Sequence, residues 1–151
     1  MTWKRADSPW RSPPAARPYT IVYNGELYNT PELRTQLEQE GVVFQTHCDT
    51  EVVLQSYAHW GPRCVEQCNG IFAFAVWEHT AQRLFLARDR IGVKPLFYAE
   101  IPGGLVFGSR SRHCFSTPMC PTRSTRPALQ NCCSWGRGGL PAAACSAPYG
   151  R

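Results

Sequence analysis

Eight consecutive residues, 71–78 (IFAFAVWE), constrain the fold more than any other stretch of the chain. A strand sends alternate side chains to opposite faces, and here both faces are apolar up to the closing acid. Such a strand belongs inside a sheet that is covered on both sides. Residues 19–23 (YTIVY), 83–87 (RLFLA), 96–99 (LFYA) and 105–108 (LVFG) read as further strands. Residues 79–82 make a turn, and Pro102-Gly103-Gly104 is a tight connection between the last two strands.

Helical signals lie between the first strand and the apolar run. Asn29-Thr30-Pro31-Glu32 is a helix start: a capping side chain, proline in the first turn and an acid at the positive end of the dipole. Leu33 and Leu37 give that helix an apolar pair, and Gly41 stops it. Residues 43–46 read as a short strand. Asp49 or Thr50 caps a second helix, with Val52, Val53, Leu54, Tyr57 and Trp60 on its apolar face before Gly61-Pro62. A short helix over 63–68 ends at Asn69-Gly70. A buried antiparallel sheet beside two or three helices is an α+β arrangement, built in layers.

The 151 residues amount to one domain, and 43% apolar content supports a core. No run of apolar residues is long enough to cross a bilayer, and the basic N-terminus is followed by no apolar stretch of the secretory type. Three segments differ in composition. Residues 1–18 form an irregular leader, with prolines at 9, 13, 14 and 18 and no period. Residues 19–109 carry the periodic elements. Up to residue 109 there are ten lysines and arginines against eleven acids, a net −1; residues 110–151 hold six arginines, no lysine and no acid. The whole net charge of +5 thus comes from the tail, which also holds five of the eight cysteines and shows no usable period.

Residues 22–29 (VYNGELYN) carry the chemistry. They read as a strand broken at Asn24-Gly25, then a tight turn and the approach to a helix. The Asn24 side-chain amide and the Gly25 N–H can converge on one anionic oxygen, since glycine has no Cβ in the way. Such a pair stabilises an acyl-transfer transition state by about 3–4 kcal/mol. An Asn-Gly by itself is more often a hairpin turn.

The motif has company. The chain resembles the glutaminase domain of asparagine synthetases, a class II glutamine amidotransferase with an N-terminal nucleophile. The resemblance covers residues 19–109. It rests on VYNGELYN, on Asp49-Thr50-Glu51-Val52 with its helix, on residues 69–75 (NGIFAFA), and on residues 87–98 (ARDRIGVKPLFY).

The resemblance implies roles residue by residue. Asn24 and Gly25 form the oxyanion hole, and Asn24, Gly25, Glu26 and Asp49 bind L-glutamine. Glu26 and Asp49 supply carboxylates for its α-amino group. Arg88, Asp89 and Lys94 hold a loop rather than take part in the reaction. The implied fold is the four-layer αββα sandwich of N-terminal-nucleophile hydrolases, here incomplete, with its first strand missing. The implied reaction is hydrolysis of glutamine to glutamate and ammonia, the ammonia serving ATP-dependent amidation of aspartate. ATP and magnesium belong to the synthetase domain of the parent, so no cofactor and no metal is expected in this chain.

The family's nucleophile is a cysteine at the first position of the mature chain, whose α-amino group, with a pKa of about 8, acts as base. This chain opens Met1-Thr2-Trp3, and no cysteine precedes Cys48. Thr2 lies too close to Asn24 to replace it. Cys48, Cys64 and Cys68 are internal and have no α-amine; Cys64 and Cys68 share a helix face, complete no zinc set and read as buried structural thiols. The resemblance therefore implies a partial, inactive, cytoplasmic glutaminase domain that binds L-glutamine. A stand-alone glutamine-binding or regulatory module, or a fragment of another synthetase of the same superfamily, is the alternative.

The tail fits a shifted reading frame. Moving the frame by one base turns His113-Cys114, Asn131-Cys132 and Cys132-Cys133 each into leucine, whatever codons are used. That origin accounts for the missing acids and lysines, the cysteines and the lost period together. A nucleic-acid arm would interleave aromatics, and a disulfide module needs a secreted context. Neither a nucleic-acid nor a membrane partner is expected. Loss of the first strand would expose sheet edges and favour self-association.

Overall fold

The computed structural model describes residues 19–101 and 104–110, together with the backbone of residues 130–131 and 144–148. The 1–18 leader, the Pro102-Gly103 step and the remainder of the tail lie outside the described residues.

The elements run β1 (Tyr19–Leu27), α1 (Thr30–Gln39), α2 (Asp49–Trp60), a 3-10 turn (Gly61–Arg63), α3 (Cys64–Gln67), β2 (Gly70–Glu78), β3 (Arg83–Arg88), β4 (Phe97–Ile101), β5 (Gly104–Gly108), β6 (Gln130–Asn131) and β7 (Ala144–Pro148). One sheet has the order β1-β2-β3-β7 and a second the order β5-β4-β6, every pairing antiparallel.

β2 is the central strand that its sequence requires. Phe72, Phe74 and Val76 pack with Val52, Val53, Tyr57 and Phe85 in the cluster under the helices. Ala73 and Ala75 point the other way, to Leu86 and Leu96, with Tyr98, Leu105 and Phe107 of the second sheet against them. Large residues thus fill the helix side and alanines let the two sheets approach. The described layers are helices, sheet and sheet, an α+β architecture.

α1 begins at Thr30 with proline in its first turn, and Leu33 and Leu37 are its buried residues, as their spacing requires. Gly41 follows it with φ +89°, a conformation that suits glycine.

Several expectations fail locally. Asn24-Gly25 does not break the first strand: β1 runs on through both to Leu27, paired throughout with β2. Residues 43–46 are not a strand. The backbone N–H groups of Gln45 and Thr46 donate to the Glu51 carboxylate at 2.8 and 2.7 Å, so they are not available to a sheet. The cap of α2 is Cys48, with Asp49 the first helical residue. Asn29 stands at the N-cap of α1 without capping it, because its side chain is used elsewhere.

The tail, which shows no usable period, pairs with the sheets at two places. Gln130–Asn131 pairs with β4, and Ala144–Pro148 pairs with β3 from Arg83 to Ala87. The outer edge of β3 offers a row of backbone donors and acceptors that any extended segment can satisfy without side-chain periodicity. Pro148, which has no N–H, sits at the end of the ladder.

Candidate functional site

Asn24, Gly25 and Glu26 lie opposite Ala73, Phe72 and Ile71. The ladder continues to Tyr28, whose N–H donates to Asn69 O at 2.8 Å. Antiparallel pairs alternate between bonded and non-bonded. Counting back from Tyr28, residues 26 and 24 are bonded pairs, and Gly25 with Phe72 is a non-bonded one. The bonds of Phe72 agree: its carbonyl accepts from Asp89 N–H at 2.8 Å and its N–H donates to Asp89 Oδ2 at 3.3 Å, both on the β3 side. The Gly25 N–H is therefore turned away from β2. Among the described residues β1 is the edge strand of its sheet, so this donor points off the edge.

Glycine is needed there for close approach. A Cβ on Gly25 would fall 2.5 Å from Ile71 O and 2.6 Å from Phe72 Cα. One on Gly70 would fall 2.3 Å from Glu26 O. The two strands are pinched together at this end.

Strand alternation sends Asn24 and Glu26 to one face of β1 and Tyr19, Ile21, Tyr23 and Leu27 to the helix face. Asn24 is half-buried and Glu26 exposed. Asp49, at the start of α2, belongs to the helix side. There it acts on the buried hydroxyl of Tyr23. Burial pushes the Tyr23 pKa up, and the Asp49 charge pushes it further. The first three predicted site residues are thus contiguous along β1, while Asp49 approaches from the other face of the same strand.

Three residues that supported no functional reading in the sequence hold these elements. Asn29 donates through Nδ2 to Gln67 O at 2.8 Å and accepts from Asn69 N–H at 2.9 Å, tying the end of β1 to the start of β2. Glu51 gathers the segment before Asp49. Tyr23 packs against the helix-side cluster. The one sequence signal was the position of Glu51 three residues after Cys48, the spacing of a capping box with cysteine where serine or threonine usually stands.

Asp89 performs the structural role expected of it. It is 4% exposed, and its carboxylate accepts N–H groups from Gly92 at 2.6 Å, Val93 at 3.0 Å and Lys94 at 3.1 Å besides Phe72. Burial alone would raise its pKa; these backbone donors outweigh it and hold the carboxyl below the usual range. Arg88 donates to Gly92 O, closing the same loop. Lys94 contributes its backbone, so the loop owes its shape to the other two.

Cys64 and Cys68 are buried, and burial raises both pKa values, that of Cys68 to about 12. Cys48 is exposed, at the N-cap position of α2. No group of three His, Cys, Asp or Glu side chains among the described residues could hold a metal ion. No described helix is long and apolar enough to cross a membrane.

The family model described as a glutamine amidotransferase domain matches residues 5–142. The chain belongs to the glutamine amidotransferase domain family. The amidotransferase match extends on both sides of the 19–109 stretch.

Among curated relatives, the chain is 49% identical over 111 residues to a glutamine-hydrolysing asparagine synthetase, number 3, of Bacillus subtilis. It is 44% identical over 104 residues to a putative glutamine-hydrolysing asparagine synthetase of Mycobacterium bovis. These alignments cover 74% and 68% of this chain but only 18% and 16% of the relatives. A solved glutamine phosphoribosylpyrophosphate amidotransferase from B. subtilis, complexed with ADP and GMP, superposes with a TM-score of 0.56 at 27% identity, over 66% of this chain and 23% of that one.

Proposed function

We propose that this amidotransferase domain is part of the glutaminase of an asparagine synthetase and holds the scissile amide of L-glutamine at the outer edge of β1. The observation that carries this reading is the Gly25 N–H. It is left out of the β1–β2 ladder, points off the edge of the described sheet, and belongs to the residue next to Asn24 in the chain. Two such donors fit the oxyanion of an amide under attack. A ligand running along this edge touches both faces of β1, which brings the carboxylates of Glu26 and Asp49 within the same molecule's span. They would take its α-ammonium group.

In the reaction assigned to the family, a thiolate adds to the amide carbon and the oxyanion forms at Asn24 and Gly25. The C–N bond breaks, ammonia leaves with a proton from the general acid, and water cleaves the thioester to glutamate. Within these 151 residues no cysteine precedes Cys48, and Cys48, being internal, has no free α-amine to serve as base. On this reading the polypeptide binds glutamine, and turnover depends on a thiol with a free α-amine beside it. The complete domain would add the first strand and a second helical layer to make the αββα sandwich. ATP, magnesium and aspartate would be handled by the remaining length of the synthetase. The free thiols of Cys48, Cys64 and Cys68 fit a reducing compartment, and the cytoplasm is the one assigned. The edge of β1, open among the described residues, is the expected route of self-association.

Calorimetric titration with L-glutamine, run beside an ammonia-release assay, tests the reading. Saturable binding without ammonia is expected. Absence of binding would remove the glutaminase reading, and steady ammonia release would remove the inactivity.

A further inference from the structure

Glu51 is 3% exposed, and no step of the reaction assigned above uses it. A buried carboxylate without a task is costly unless it is fully bonded, and this one is. Its Oε1 accepts the Gln45 N–H at 2.8 Å, and its Oε2 accepts both the Thr46 N–H and the Thr46 hydroxyl, each at 2.7 Å. The Thr46 Oγ1 in turn accepts the Cys48 N–H at 3.3 Å. The Cys48 thiol lies 3.6 Å from Asp49 Oδ1. A continuous path of bonds thus runs from the first turn of α2 back through the preceding segment to the residue that starts the helix.

The far side of that segment is fixed as well. Arg34 of α1 donates to Thr46 O at 2.5 Å and lies over the Phe44 ring, 4.4 Å from its centroid. Residues 44–48 therefore have one path between the two helices, although they form no regular element.

We propose that Glu51 is the positioning residue for Asp49: by fixing residues 45–48 it sets where the Asp49 carboxylate meets a bound glutamine at the edge of β1. This rests on the glutamine-binding reading of Asp49. Glu51 touches no ligand. It acts through Thr46 and Cys48.

The test uses the full chain with Glu51→Gln, with Thr46→Val, which keeps the carboxylate and removes only the hydroxyl relay, and with Ser56→Ala as a control. Ser56 is buried in the same helix and bonds Val52 O at 2.7 Å, away from Asp49. Glutamine affinity should fall about tenfold in Glu51→Gln and about threefold in Thr46→Val, and stay unchanged in Ser56→Ala. Amide hydrogen exchange should accelerate at Gln45, Thr46, Cys48 and Asp49 while residues 53–57 keep their protection. Should Glu51→Gln fail to fold, Thr46→Val carries both readouts. Wild-type affinity in the two variants would overturn the proposal, as would acceleration spread evenly along α2. If wild-type protein binds no glutamine, the proposed function falls, and the exchange pattern still decides whether Glu51 fixes Asp49.

Discussion

Gly25 and Phe72 face each other across β1 and β2 so closely that a β-carbon on the glycine would lie 2.6 Å from the phenylalanine Cα. The atoms in the way, Ile71 O, Phe72 Cα and Phe72 Cβ, are backbone or attached to it, so no rotamer change relieves the clash. Gly25→Ala should cost about 3 kcal/mol through overpacking. Urea unfolding measures it. A loss below about 0.5 kcal/mol would mean that the strands are not pinched.

Phe72 also connects the candidate site to the Asp89 loop, since its N–H and carbonyl both bond to Asp89. The Asp89 carboxyl is held below its unfolded value of about 3.9. A depressed pKa contributes stability that is complete above the unfolded value and lost as pH falls through the folded one. Wild-type stability should therefore decline on the acid side of about pH 4. Asp89→Asn should be less stable at neutral pH by about 3 kcal/mol and show a flatter acid limb. Urea midpoints from pH 2 to 7 give both quantities. Parallel acid limbs would show that Asp89 is not the group responsible.

The three described thiols should separate by reactivity. Iodoacetamide should label Cys48, the exposed thiol, in the native protein at about pH 8. Cys64 and Cys68 should label only after unfolding, since both are buried and the Cys68 pKa is about 12. Peptide mapping by mass spectrometry reads the outcome. Native labelling of Cys64 or Cys68 at the rate of Cys48 would show that the α3 region opens.

What the sequence revealed depended on whether a signal was local. The two apolar faces of β2 required cover on both sides, and the helices and second sheet supply it. Leu33 and Leu37 marked the inner side of α1. The Asn24-Gly25 pair misled, because its short-range meaning is a turn. Its actual use, close approach to Phe72, depends on a strand nearly fifty residues away in the chain. Residues 43–46 have strand-like side chains, but their backbone donors go to Glu51, and no propensity registers a single carboxylate. The tail shows the reverse: its pairing with β3 and β4 is a backbone matter that leaves no side-chain pattern to read.

The most direct test of the account is a residue-resolved titration of 15N-labelled protein with L-glutamine, followed by NMR. The Gly25 amide, the Asn24 side-chain amide and the amides of Glu26 and Asp49 should shift together with one saturation constant, and D-glutamine should move them far less. Signals at these four residues that stay still while glutamine is raised to saturating millimolar levels would contradict the account.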